Sequence, residues 1–189
     1  MSKKDFNRFV EQASKEKKSK NIDWEKRREE WIHNLDEFYN KINSFLTSFI
    51  EKGKISIEFK DIELNEEHIG TYETKSATIL IGNHTIRLRP IGTTLIAAKG
   101  RVDMTGAYGK VKFVLVPESA DKPQVKTMIN TEDMSGKASE EKDNGNETSD
   151  WVWKIATSPP AIRYLPLDEE SFMDAVMEVT NADSEDSDG

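Results

Sequence analysis

The sequence predicts an α+β protein: a meandering antiparallel sheet of about six strands, with a long N-terminal amphipathic helix and a short C-terminal helix packed on one face. Two observations carry this. Apolar residues follow a helical period up to Gly53, then alternate from Lys54 onward. The alternating segments are joined by turn residues rather than by helices, so there is no βαβ rhythm and helices and strands are segregated.

The long helix runs from about residue 21 to Gly53. Asn21 or Asp23 can cap its start and Gly53 can end it. Trp24, Trp31, Leu35, Phe38, Ile42, Phe45 and Phe49 form a seam with steps of three, four and seven. Ile32, Tyr39, Leu46 and Ile50 widen its C-terminal half into a broad apolar face. About 30 residues at 1.5 Å make a rod of roughly 45 Å. A six-stranded sheet is only about 29 Å wide. The polar N-terminal half is therefore expected to project, and Trp24, Trp31 and Leu35 to seek a partner helix. That partner is either a second copy of the chain or a short helix over residues 3–18, which would dock through Phe6, Phe9 and Val10.

In the sheet, Ile55, Ile57 and Phe59 face one way, whereas Ile62 and Leu64 break that parity, which suggests a bulge at Lys60–Asp61. ATILI-GN-HTIRL reads as a hairpin with Gly82–Asn83 as its turn. Pro90 and Gly92 interrupt the ladder and TTLIAA resumes it. RVDM and KVKFVLV pair around TGAYG. WVWKIAT re-enters the core, and AIRYLPL makes a last strand or an extended arm. Asp168 caps a last helix whose buried stripe is Phe172, Val176 and Val179.

The domain reading is a short arm at 1–20, one α+β domain over 21–182, and an acidic tail at 183–189. The domain is interrupted at 119–150 by a polar insertion too poor in apolar residues to build a core. Residues 1–117 carry 21 basic and 17 acidic groups, and residues 118–189 carry 6 and 18. The acidity thus belongs to the insertion and C-terminal end, and the strands are slightly basic. Without cysteine there is no disulfide framework and no thiolate metal site. The N-terminus lacks the apolar core of a secretory signal, and no stretch approaches the roughly 20 apolar residues of a membrane helix. A cytoplasmic protein without membrane contact is expected.

No motif announces catalysis. His33, His68 and His84 lack neighbouring ligands at matched spacing. Glu58, Asp61, Glu63, Glu66 and Glu67 read as the charged blunting of an edge strand rather than a cation loop. GRVDMTGAYGK lacks phosphate-loop spacing. Trp151 and Trp153 share one side of a strand, as core or as a platform for bases. No cofactor or metal is expected, and an enzyme is the less favoured reading. One constellation stands out. Arg87, Arg89, Lys99, Arg101, Lys110 and Lys112 fall on the parity opposite the core and would form a basic patch on one sheet face. The expected function is a non-enzymatic protein–protein interaction or accessory module, working with a protein partner or by self-association through the long helix. The alternative is binding of nucleic acid or another anionic ligand through the basic face.

Overall fold

The computed structural model describes residues 23–93, 98–123 and 150–181. The expected helix at 3–18, most of the TTLIAA strand, the greater part of the insertion and the acidic tail lie outside these residues.

The chain opens with α1 (Trp24–Glu51). Asp23 caps it by accepting a hydrogen bond from the Lys26 amide at 3.0 Å. Gly53, at φ 68°, ends it with amide bonds from Gly53 to Ile50 O and from Lys54 to Phe49 O. Seven strands follow in one antiparallel sheet whose spatial order is the chain order: β1 (Ile55–Glu66), β2 (Gly70–Ile81), β3 (His84–Gly92), β4 (Gly100–Thr105), β5 (Lys110–Pro117), β6 (Trp151–Ala156) and β7 (Tyr164–Pro166). The count is one above the expected six because Tyr164–Pro166 pairs as a short strand of its own. The closing helix α2 (Glu169–Thr180) begins in a reciprocal capping box between Asp168 and Ser171.

Both helices cover the same sheet face. Phe45 of α1 and Phe172 of α2 approach at 6.0 Å, and Phe172 meets Phe113 of β5 at 6.2 Å. Trp31, Phe38, Ile42, Ile79, Ile86, Leu88, Val102, Met104, Phe113, Leu115 and Phe172 are essentially inaccessible. The β2–β3 hairpin has the expected register, with Ala77 opposite Leu88, Ile79 opposite Ile86 and Ile81 opposite His84. His84, however, is exposed.

Three expectations need correction. First, α1 does not project. It lies along the β1–β2 hairpin, with Trp24 stacked on His68 at the hairpin tip and Tyr39 donating to Lys75 O midway. A 28-residue helix spans about 42 Å and a 12-residue strand about 40 Å, so the relevant dimension is strand length, not sheet width. Trp31 and Leu35 are 1% and 2% exposed and belong to the chain's own core cluster. Second, β1 and β2 pair one-to-one from Ile55–Ile81 to Glu66–Gly70. The change of face near Lys60–Asp61 is shared by both strands and is not a bulge of β1. The register slip lies instead in β3, between Pro90 and Gly92, where proline's missing amide is tolerated. Third, the start of the insertion is structured. Residues 117–121 fold over the outer sheet face: the Lys154 ammonium donates to Glu118 O at 2.7 Å and Ala120 O at 2.9 Å, and the Tyr164 amide donates to Asp121 O. This strap and Ile162 cover a second, smaller cluster of Ala98, Val114, Val116 and Tyr164.

Candidate functional site

The outer face of the sheet, opposite the helices, divides in two. Toward β6 and β7 it is apolar and closed by the strap. Across β3, β4 and β5 it is open and charged, and the register sets its layout. Arg89 lies opposite Asp103, which lies opposite Lys112; Arg87 lies opposite Thr105, which lies opposite Lys110. Side chains two apart on a strand are about 7 Å apart, and β3 and β5 are separated by about 10 Å. Arg87, Arg89, Lys110 and Lys112 therefore mark the corners of a compact rectangle.

Asp103 sits within it and is only 4% exposed. Arg101 grips its carboxylate with two bonds, Nε to Oδ1 at 2.6 Å and Nη2 to Oδ2 at 2.8 Å. The Lys110 ammonium lies 3.3 Å from Oδ2. Burial alone would raise the Asp103 carboxyl, but the bonds and charges of Arg101 and Lys110 outweigh it and hold the group below the ordinary carboxylate value. Arg101 and Lys110 are thus structural partners of a buried acid. Arg87, Arg89 and Lys112 have no ion pair among the described residues. Arg87 and Arg89 are exposed and Lys112 is half-buried.

Lys99 does not belong to this face. Its ammonium lies 4.5 Å from the Trp151 ring centre and 3.7 Å from Glu30 of α1, on the helix side. It precedes β4, so strand alternation does not govern it. Trp153 packs at 4.8 Å from Phe38, and its indole donates to Asn34 O. The tryptophan pair therefore faces the core and is no platform for bases. Trp24, the least buried of the three expected interaction residues, is engaged by His68 and by the Arg27 guanidinium at 5.5 Å.

A polar cluster that the sequence does not signal lies under the N-terminal half of α1. The buried Glu66 carboxylate accepts from the Tyr72 hydroxyl at 2.5 Å, the Thr93 amide at 2.7 Å and the Thr93 hydroxyl at 3.0 Å. Arg27 donates to Thr93 O at 2.8 Å. Gly92, at φ 128°, presses so closely on this carboxylate that any side chain would collide with it. Burial, then the bond and charge of Glu66, raise the Tyr72 phenol. The cluster ties α1 to the ends of β1 and β3. An open depression between α1 and the hairpin is lined by Asp36, Asp61, Glu73, Thr74 and Lys75. Among the described residues there is no group of three or more metal-ligating side chains and no helix long and apolar enough to cross a membrane.

No family model matches the chain, and no match was found among curated proteins or solved structures.

Proposed function

We propose that this protein is a non-enzymatic interaction module whose outer sheet face, between β3 and β5, takes an acidic segment of a protein partner. One observation carries the reading. Arg87, Arg89 and Lys112 surround a carboxylate already satisfied by two other cations, which leaves five cations against one acid on a small rigid area. Such an excess attracts anions and steers their approach. The rigidity comes from the core beneath: Leu88, Met104, Val111 and Phe113 alternate with these cations along the same strands and are buried.

The same face favours a polypeptide over nucleic acid. Single-stranded nucleic acid is held by aromatic stacking as well as by charge. The tryptophans of β6 point the other way, and Tyr164 is buried in the strap cluster. No aromatic side chain interleaves the four corner cations on β3 and β5.

Fluorescence anisotropy with a labelled poly-glutamate peptide and a labelled oligo(dT) of equal charge tests this. The peptide is expected to bind at about 0.02 M ionic strength and to weaken steeply by about 0.3 M. The variant R87E/R89E/K112E should lose binding with its fold intact. Tighter, salt-resistant binding of oligo(dT) would favour the nucleic-acid reading. Equal peptide binding by the triple variant would remove the face from consideration.

A further inference from the structure

The open edge of the sheet carries a second surface, independent of the basic face. β1 pairs only with β2, so from Ile55 to Glu63 its other edge has no strand partner among the described residues. At 12 residues it is far longer than the opposite edge strand, β7, which has 3. Long edges template pairing with another chain and are usually blunted by charged side chains, proline, bulges or shortness. β1 carries charges of both signs and changes its buried face near Lys60–Asp61, but it has no proline and no slip in its register with β2.

Near the middle of this edge stands Phe59. It is 49% exposed, the second most exposed large apolar side chain of the described residues. One side of its ring rests edge-on against Tyr39 of α1, at 5.3 Å and 81°; the remainder is uncovered. Glu58 and Lys60 flank it, both exposed and neither in an ion pair among the described residues.

We infer that β1 pairs antiparallel with β1 of a second copy of this chain, about a two-fold axis at Phe59, joining the two sheets edge to edge. The charges select both the occupant and the register. A two-fold at Phe59 puts Phe59 beside the partner's Phe59 on the helix-covered side. It also puts Glu58 opposite the partner's Lys60 and Lys60 opposite the partner's Glu58 on the other side. No like charges face each other from Ile55 to Glu63 in this register. Axes at Glu58, Lys60, Asp61 or Glu63 would each set a like charge directly against itself, and an axis at Ile62 would set Asp61 against Glu63 twice. The contact is isologous, as a closed dimer requires. An axis at Ile57 keeps only Ile55 to Phe59 of the strand in the pairing and sets Lys54 against Lys60 twice, so the Glu-Phe-Lys triplet favours the Phe59 register over its neighbours.

Sedimentation velocity of the full chain, over a concentration series into the high micromolar range, reads the association. The parent is expected to move from monomer toward dimer as concentration rises. Phe59→Glu should stay monomeric, with circular dichroism confirming its fold. E58K alone and K60E alone should each weaken the dimer roughly tenfold, by placing like charges opposite twice, and the double variant E58K/K60E should recover it. A parent that stays monomeric throughout overturns the proposal, as does one that dimerises only when residues 1–22 are removed. So does a dimer indifferent to Phe59→Glu and to the charge exchange, which would place the interface elsewhere.

Discussion

The two faces of the sheet are built from the same strands by the same alternation, yet they do different work. On the helix-covered face, Ile79, Ile86, Leu88, Val102, Met104 and Phe113 form one continuous apolar layer sealed by α1 and α2. On the outer face, Val114 and Val116 are covered among the described residues by the strap, Ala156 and Ile162, and the remainder carries cations around Asp103. The first face is held by area removed from water, whereas the second combines a small apolar patch with hydrogen bonds made by charged groups. Substitutions should therefore cost much on one face and progressively less across the other.

The largest effect is expected beneath α1. Trp31→Ala removes a side chain 1% exposed, packed on Trp153 at 6.0 Å and against Gly100. Chemical denaturation should show a loss of about 3–5 kcal/mol. Next comes the strap. Replacing 119–123 with a glycine-serine linker uncovers Val116 and Tyr164 and no longer holds in place the residue-120 carbonyl to which the 8% exposed Lys154 donates. The expected loss is about 1–3 kcal/mol. Replacing residues 124–149 instead should leave the melting temperature within a few degrees, because closure cost depends weakly on loop length.

Within the charged patch, Asp103→Asn should cost about 1–2 kcal/mol at neutral pH, and the cost should depend on pH. The Asp103 carboxyl lies below its ordinary value of 3.8 in the folded chain. Its pairing therefore stabilises fully above about pH 4 and is lost as pH falls through the folded value. Parent and variant should converge in stability in acid; a constant gap would mean the ion pair contributes nothing. The smallest effect belongs to R87E/R89E/K112E, which should change stability by no more than about 0.5 kcal/mol per site. A large loss there would show these cations to be part of the fold.

Local signals suffice where one element settles its own geometry. The hairpin from Ala77 to Leu88 is legible because strict alternation meets a two-residue turn at Gly82–Asn83. The α2 cap at Asp168 and the buried stripe of Phe172, Val176 and Val179 are legible for the same reason. Arg87, Arg89 and Lys112 fall on the outer face because their neighbours on the same strands are core. Lys99 was misplaced because alternation does not carry across the slip at Ile91 into the residues before β4. The Glu66, Tyr72, Thr93 and Arg27 cluster joins groups up to 66 residues apart, and no local pattern encodes it. The course of α1 is not legible in the sequence, because the twelve-residue length of β1 and β2 emerges only when both strands share the change of face at Lys60–Asp61.

The outer face as a binding surface is tested most directly by amide chemical shifts. Isotope-labelled protein is titrated with a poly-glutamate peptide at low ionic strength. The account predicts shifts clustered at Arg87, Arg89, Thr105 and Lys112, fading together as salt is added. Shifts spread over the polar surface of α1 or along β1, or none at low salt, would contradict it.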